Sequence, residues 1–391
     1  MGEQVLVLAD DLTGALEVGA VFAGRGLPAL VTTETELAPP GIRGGNPVHV
    51  IDTESRHLPP AEAFRIVHAI ARAARVQGIR YIYKKTDSTL RGNIGSELGA
   101  VAAAFPDHPL IYSPAYPMMG RTVVEGRLCV DGVPVSETGF STDGLDPVRE
   151  SHIPTLLKSS LHGTGSRSIR IEALGHPLPP GVYVLDSHTE TDLQSSARIF
   201  ADSRQLRLAA GPTGFARYLA DSVDLTRSSP PPMPRLASCL VINGSRHAVS
   251  AAQIQYVKRL GWPTVPAGAV PQANTGSGWF LMQNPMVPAL AGPDFALRIG
   301  ESVHHVLRQT PFDAMVVFGG DTVYGIVKAI GLNRMWPVGE VLTGVPAATF
   351  DPDALEGIGG SGEARFHLIT KAGGFGAPEL LLRMREQLSM R

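Results

Sequence analysis

The sequence predicts an α/β protein of two domains, each a mostly parallel sheet flanked by helices. Three observations carry that prediction. Short apolar runs alternate with longer segments of helical spacing, as βαβ units require. Several of those runs stop at a polar or glycine-rich turn, the place where open α/β sheets hold their ligands. One proline-rich stretch, Thr226 to Leu236 (TRSSPPPMPRL), interrupts the alternation. Consecutive prolines favour extended polyproline II over packed structure, so residues 1–225 are read as the first domain, 226–236 as a linker and 237–391 as the second.

In the first domain, Gln4 to Ala9 reads as a strand ending in Asp10-Asp11, after which Ala15, Val18, Gly19 and Phe22 recur at helical spacing. Two adjacent carboxylates at a strand end can bind a metal, orient a hydroxyl or accept its proton. Equally, one of them can simply cap the helix, an interaction of about 1 kcal/mol. The strand Val48 to Ile51 exits into Asp52, Thr53, Glu54, Ser55 and Arg56. A helix follows over 61–77, with Ala63, Val67, Ile70, Ala71 and Ala74 as its apolar stripe. It delivers the chain to the strand Ile79 to Tyr83, which breaks into Lys84, Lys85, Asp87, Ser88 and Arg91. Beyond Gly92, Asn93 is read as the cap of a helix marked by Ile94, Leu98 and Val101. Such crowding of charge at one strand end suits an anionic ligand, although charges that only pair with one another would leave the same pattern.

Leu110 to Ser113 is the next strand, and the turn-rich segment after it reads as a hairpin-like insertion in which Arg121 and Thr122 either reach an anion or stay solvated. Val182 to Leu185 ends in Asp186-Ser187-His188, a helix is expected over Ser195 to Gln205, and the strand Leu206 to Ala210 closes on GPTGF.

The second domain opens with the strand Cys239 to Ile242 and the turn Asn243-Gly244-Ser245-Arg246-His247, followed by a helix. Gly268 to Pro293 reads as loops, and Ala296 to Gln309 as a helix whose adjacent His304 and His305 point to different faces and so do not share a metal. Ala314 to Phe318 runs into Gly319-Gly320-Asp321-Thr322 and a helix through Ile330. Phe366 to Thr370 runs into Lys371-Ala372-Gly373-Gly374-Phe375-Gly376 and a last helix. Three strands thus end in small, donor-rich turns of a kind that lets backbone N–H groups approach a polyphosphate. No GxxxxGK[ST], GxSxG or HExxH motif occurs. Gly357 to Gly362 matches GxGxxG, but it follows an acidic stretch and leads into a strand with no helix between, so the dinucleotide reading fails its context.

Composition narrows the function classes. A chain of 391 residues, 43% hydrophobic and 18% charged, can bury two or three cores. Its formal charge of −2 and scattered basic residues exclude a nucleic-acid footprint and a polybasic membrane patch, leaving a small molecule as the expected partner. Self-association into a homo-oligomer is left open. The N-terminus lacks the pattern of a signal peptide and no apolar run approaches a membrane span, so a cytoplasmic location is expected. Cys129 and Cys239 have neither zinc-ligand spacing nor a CxxC pattern.

Seven segments together resemble the four-carbon acid sugar kinases, a family long catalogued as a domain of unknown function. They are ADDLTGA at 9–15, KKTDSTLRGNIG at 84–95, SPAYPMMGRT at 113–122, NGSRHAVSAAQ at 243–253, GGDT at 319–322, GVP at 344–346 and TKAGGFG at 370–376, in the family's order over nearly the whole chain. The resemblance implies ATP-dependent phosphorylation of a hydroxyl, typically the terminal one, on a short sugar acid such as threonate, erythronate or an oxo-tetronate. It implies an acid-binding first domain and an ATP-binding second domain, with the active site in the interdomain cleft. By motif match, Asp10, Asp11, Arg56, Lys85, Asp87, Ser88 and Arg91 would hold the substrate. Ser245, Gly319, Gly320, Asp321, Thr322, Gly373 and Gly374 would hold the nucleotide, with Mg2+ bridging its phosphates and no protein residue assigned to the metal. Asp11 is favoured over Asp87 as the proton acceptor, and Arg56, Lys85 and Arg91 as the carboxylate clamp. Where many members read GSCSxxT, this chain reads GSRHAVS from Gly244, so His247 stands in place of a hydroxyl. A sugar-acid or nucleotide-binding regulator without turnover, and an ATP-consuming ligase, are the rival readings.

Overall fold

The computed structural model describes residues 4–37, 46–144, 146–158, 160–161, 166–203, 206–269, 278–283, 293–350 and 366–389. The GxGxxG match at 357–362 lies outside them, as does much of the 268–293 segment. The chain divides into two compact units between Ser229 and Pro230.

The first unit begins with β1 (Val5–Ala9), α1 (Leu12–Ala23), β2 (Ala29–Thr32), β3 (Val48–Asp52), α2 (Pro60–Val76), β4 (Tyr81–Lys85), α3 (Ile94–Ala104) and β5 (Pro109–Tyr112). Next come β6 (Arg121–Val124), β7 (Arg127–Val130), β8 (Val133–Pro134), α4 (Ile153–Lys158) and β9 (Ser166–Ile169). It closes with β10 (Gly181–Leu185), α5 (Glu190–Asp202), β11 (Leu208–Gly211) and α6 (Thr213–Ser222). The main sheet has the order β2-β3-β1-β4-β11-β5-β10-β9, and its recorded pairings are parallel. A parallel sheet covered on both faces needs strands apolar on both faces. The run VLVLA of β1 meets that demand and is buried throughout. On α2 the buried residues are Ala63, Val67, Ile70, Ala71 and Ala74, the stripe read from the sequence. β6, β7 and β8 form a separate antiparallel sheet, the expected insertion.

The second unit contains β12 (Ser238–Asn243), α7 (Ala248–Arg259), β13 (Thr264–Val265), β14 (Gly278–Met282), α8 (Pro293–Gln309) and β15 (Ala314–Phe318). It continues through α9 (Gly320–Ile330), β16 (Arg334–Leu342), β17 (Val345–Phe350), β18 (His367–Lys371) and α10 (Leu380–Leu388). Its strand order is β13-β14-β12-β15-β18-β17-β16, parallel from β13 to β18 and antiparallel beyond. Cys239, Val241, Val316, Phe318 and Ile369 from the sheet pack with Trp262, Trp279, Leu381 and Met384 in one core.

Four expectations need correction. β4 starts and ends two residues later than the apolar run suggests, because its ladder with β1 on one side and β11 on the other carries Lys84 and Lys85 into the sheet. α5 starts at Glu190, where Thr189 and Asp192 form a reciprocal capping box. β14 lies within the segment read as loops: the apolar run Trp279 to Met282 pairs with β12 despite its glycine- and proline-rich surroundings. Asn93 precedes α3 but makes no side-chain cap; its amide donates instead to the carbonyls of Ser55, Arg56 and Leu58, tying the β3 exit to the start of α3.

Candidate functional site

In the first unit, the chain leaves β1 to build β2 and β3 on one side and then β4 on the other, so strand order reverses at β1. That switch point is where open α/β sheets carry their ligand crevice. Register places Ala9 beside Asp52 of β3 and Lys85 of β4, so the residues following all three strands share one edge. Asp10, Asp11, Arg56, Lys85, Asp87 and Arg91 meet there. The Arg56 guanidinium bridges three aspartates: Nε to Asp10 Oδ2 at 2.7 Å, Nη2 to Asp11 Oδ1 at 2.8 Å, and Nη2 to Asp87 Oδ1 at 3.9 Å. Lys85 Nζ lies 4.0 Å from Asp11 Oδ1. Ser88 lies half-buried in the same turn.

The two neighbouring aspartates have divided the roles that the sequence left open. Asp11 is the N-cap of α1, accepting from Gly14 N at 3.1 Å. Asp10 is fully buried; burial pushes its carboxyl up, but Arg56, Lys84 and Lys85 outweigh that and hold it at about 2. Its Oδ1 and the hydroxyl of Thr13 are buried without a partner among the described residues. Buried polar atoms are nearly always paired with protein, water or ligand, so such atoms at a crevice point to a binding site. Asp87 is saturated. Its Oδ2 accepts from Thr89 N, Thr89 Oγ1 and Arg91 Nε, and its Oδ1 from Arg91 Nη2 at 2.7 Å. Burial opposes the charge, yet Arg91 and Arg56 hold this carboxyl well below the usual range. For Arg56 too, burial works against the charge while Asp10, Asp11 and Asp87 secure it.

Two non-glycine residues of this edge have left-handed backbone, Glu54 (φ 44°) and Leu90 (φ 66°). Such conformations persist where surrounding bonds impose them and cluster at functional sites. At Glu54 those bonds are its N–H to Asp52 Oδ1 at 3.1 Å and its carboxyl accepting from Leu12 N at 3.2 Å. Burial and the nearby Asp11 charge raise the Glu54 carboxyl to about 7, and burial with the Glu54 charge raises Asp52. Beneath lies a buried pair, Lys84 Nζ to Glu97 Oε2 at 2.9 Å, with Ser55 Oγ donating to Glu97 Oε1 and Thr53 sharing a hydrogen bond with Ser55. In the sequence Asp52 and Glu54 read only as part of a polar strand exit, with no role assigned, and Glu97 is not singled out. Glu97 sits on the helix Ile94 to Ala104 and reads there as an ordinary surface residue; only its location 1% exposed beneath β4 reveals it.

In the second unit the reversal falls at β12, between β14 and β15, and the three glycine turns follow the adjacent parallel strands β12, β15 and β18. They pack against one another. A methyl group on Gly244 would collide with the Thr322 side chain, and one on Gly373 with Ser245 Oγ. Gly319, at φ 103°, brings its Cα face to within 3.3 Å of Ser245 N, as measured to an added Cβ. Gly374 lies against the His247 ring. Gly320 and the exposed Asp321 open α9, while Thr322 is buried in the packing between turns. His247 is the N-cap of α7, its Nδ1 accepting from Val249 N at 3.2 Å.

Comparison with known proteins matches two family descriptions to separate parts of the chain. Residues 5–219 match the family description "Sugar-binding N-terminal domain" and 286–381 the description "Nucleotide-binding C-terminal domain". The chain is 30% identical to a D-threonate kinase of Bordetella bronchiseptica, covering 100% of this chain and 98% of that one. It is 26% identical to a 3-oxo-tetronate kinase of Methylobacterium radiotolerans over 87% of this chain and 90% of that one. A solved structure from Salmonella typhimurium LT2 has the same fold, with a TM-score of 0.76 at 21% identity over 99% of this chain and 100% of that one.

Proposed function

The chain belongs to the four-carbon acid sugar kinase family, and from that premise we propose that it transfers the γ-phosphoryl group of ATP to a hydroxyl, the terminal one, of a four-carbon sugar acid such as threonate, erythronate or an oxo-tetronate. The observation that carries the reading is the ion-paired edge of the first unit, where Arg56, Lys85 and Arg91 converge with Asp10, Asp11 and Asp87 around buried unpaired polar atoms. In this reading the basic side chains and Ser88 receive the substrate carboxylate and hydroxyls. Arginine adds bidentate geometry that lysine lacks.

Phosphoryl transfer asks the protein mainly for positioning and charge stabilisation, with one group to take the hydroxyl proton. Asp11 is the proposed acceptor. Its partners Gly14, Arg56 and Lys85 all address Oδ1, leaving Oδ2 for a hydroxyl, whereas both oxygens of Asp87 are engaged. The turns at Ser245, Gly319 to Thr322 and Gly373-Gly374 are the proposed cradle of the ATP phosphates. Among the described residues no group of three or more His, Cys, Asp or Glu is arranged to hold a metal; Mg2+ would enter with the nucleotide phosphates and would supply charge neutralisation there. Among the described residues no helix is long and apolar enough to cross a membrane; a cytoplasmic location is proposed with the family reading.

The test is ATP consumption coupled to ADP detection across D- and L-threonate, D- and L-erythronate and their oxo forms. Turnover confined to one acid establishes the kinase reading and names its substrate. Nucleotide binding without turnover on any member would replace the reading with that of a non-catalytic binder.

A further inference from the structure

Two lysines of this protein are fully buried, Lys84 and Lys371. Lys84 has a carboxylate, Glu97, at 2.9 Å. Lys371 has none among the described residues. Its Nζ donates to the carbonyl of Gly373 at 3.2 Å and approaches Ser250 Oγ at 3.5 Å, while Ser250 Oγ donates to the same carbonyl at 2.7 Å. The rings of Phe318 and Phe375 flank it, with centroids 4.8 Å and 5.1 Å away. Ring faces and one carbonyl dipole compensate a buried cation only in part. Burial accordingly lowers the ammonium to about 7. A cation in this condition is expensive to keep, and it stands at the root of the turn that packs on Ser245 and His247.

Among the described residues, the neighbouring elements do not supply the missing charge. β15 and β17 contain no titratable residue. The β12–α7 turn brings Arg246 and His247, α9 brings Asp321 in its exposed first turn, and β16 brings Glu340, whose carboxyl is taken by Gly344 N at 2.8 Å. None of them is ion-paired with Lys371.

We infer that Lys371 is a positioning residue of the glycine turns whose counter-charge is the polyphosphate of the bound nucleotide, so that nucleotide binding and protonation of Lys371 are coupled. The inference rests on reading the second unit as the nucleotide site. Below its free-protein titration point Lys371 already carries its proton. Above that point an incoming anion must draw one from solvent, so affinity weakens as pH rises.

Isothermal titration calorimetry of the full chain with MgADP tests this, at pH 8.0 and in two buffers of different ionisation enthalpy. Phosphate groups are fully ionised at that pH and imidazole is neutral, so uptake reports Lys371. The expected result is uptake approaching one proton per nucleotide, with affinity falling up to about tenfold between pH 7 and pH 8. Lys371→Arg, whose charge is fixed, should abolish the uptake and flatten the pH dependence, and Lys371→Met should abolish the uptake and weaken binding about tenfold or more at pH 7. His247→Gln should leave the uptake intact. MgADP binding to the unaltered chain without proton uptake would overturn the inference while leaving the nucleotide site standing. No MgADP binding at any pH would overturn the nucleotide reading and the inference with it.

Discussion

Around their first strands the two units repeat one arrangement, β2-β3-β1-β4 in the first and β13-β14-β12-β15 in the second, yet the turns at their strand ends share almost no chemistry. In the first unit the edge is dense with charge and partly self-neutralised, with Asp10, Asp11, Asp87 and Glu97 each held by a named cation. In the second it is glycine and hydroxyl, with one buried lysine left uncompensated. Strand order sets where a ligand can sit, and the few residues after each strand set which ligand it is. An edge of paired charges offers a small anion exchangeable partners, while packed glycine turns offer backbone donors to a chain of phosphates. Both edges also hold a buried group titrating at about 7, by opposite routes: Glu54 is raised by burial and the Asp11 charge, Lys371 is lowered by burial alone.

The comparison breaks most visibly at Asp11. Asp11→Asn should lower kcat by about 100- to 10,000-fold, the usual range for a lost general base, with the KM for the sugar acid moving far less. Unchanged kcat in steady-state assays would remove Asp11 as the acceptor. Next in size is the contrast between the buried lysines. Glu97→Ala strands the Lys84 charge and should cost about 3–5 kcal/mol in urea unfolding, as removal of one partner of a buried pair does. Lys371→Met removes a charge that has no partner and should raise the melting temperature at pH 7.

A smaller effect separates the two edges by ligand. Gly319→Ala forces a side chain onto left-handed backbone at φ 103°, which costs about 1–3 kcal/mol; it should weaken MgADP binding while leaving calorimetric binding of the sugar acid to the first unit unchanged. The two groups that titrate near neutrality separate the edges by the sign of their pH effect on stability. Glu54 titrates at about 7 when folded and near about 4.3 when unfolded. The unfolded chain therefore binds fewer protons between those values, and stability falls as pH rises through them. Lys371 titrates at about 7 when folded and near about 10.4 when unfolded, so stability rises with pH across that window. Glu54→Gln should flatten the acid side of a melting-temperature profile and Lys371→Met the alkaline side. Profiles that keep both slopes in the variants would assign them to other groups.

Local pattern was enough for much of this molecule. The α2 stripe, the strand β15 and the three glycine turns follow from period and turn chemistry over a few residues, which the sequence displays directly. The grouping of Asp10, Asp11, Arg56, Lys85, Asp87 and Arg91 came instead from the family resemblance, through motifs that lie apart in the chain. Their division of labour did not. The Asp11 cap is a local contact with Gly14, but the pairing of both aspartates with Arg56 follows from where that residue, 46 positions from Asp10, places its guanidinium. Asn93 was drawn from its capping position by carbonyls 35 to 38 residues away. β14 needed β12 beside it to become a strand, Glu97 needed the sheet over its helix to become a buried charge, and Lys371 needed β15 beside its own strand. By itself the sequence determined most of the elements and the motifs, because those depend on neighbours within a turn or two of chain, and the resemblance those motifs carry implied the chemistry class. Only the tertiary structure decided which charges are paired, which are stranded and which titrate near neutrality, because Coulomb energy and desolvation depend on distance and burial in space.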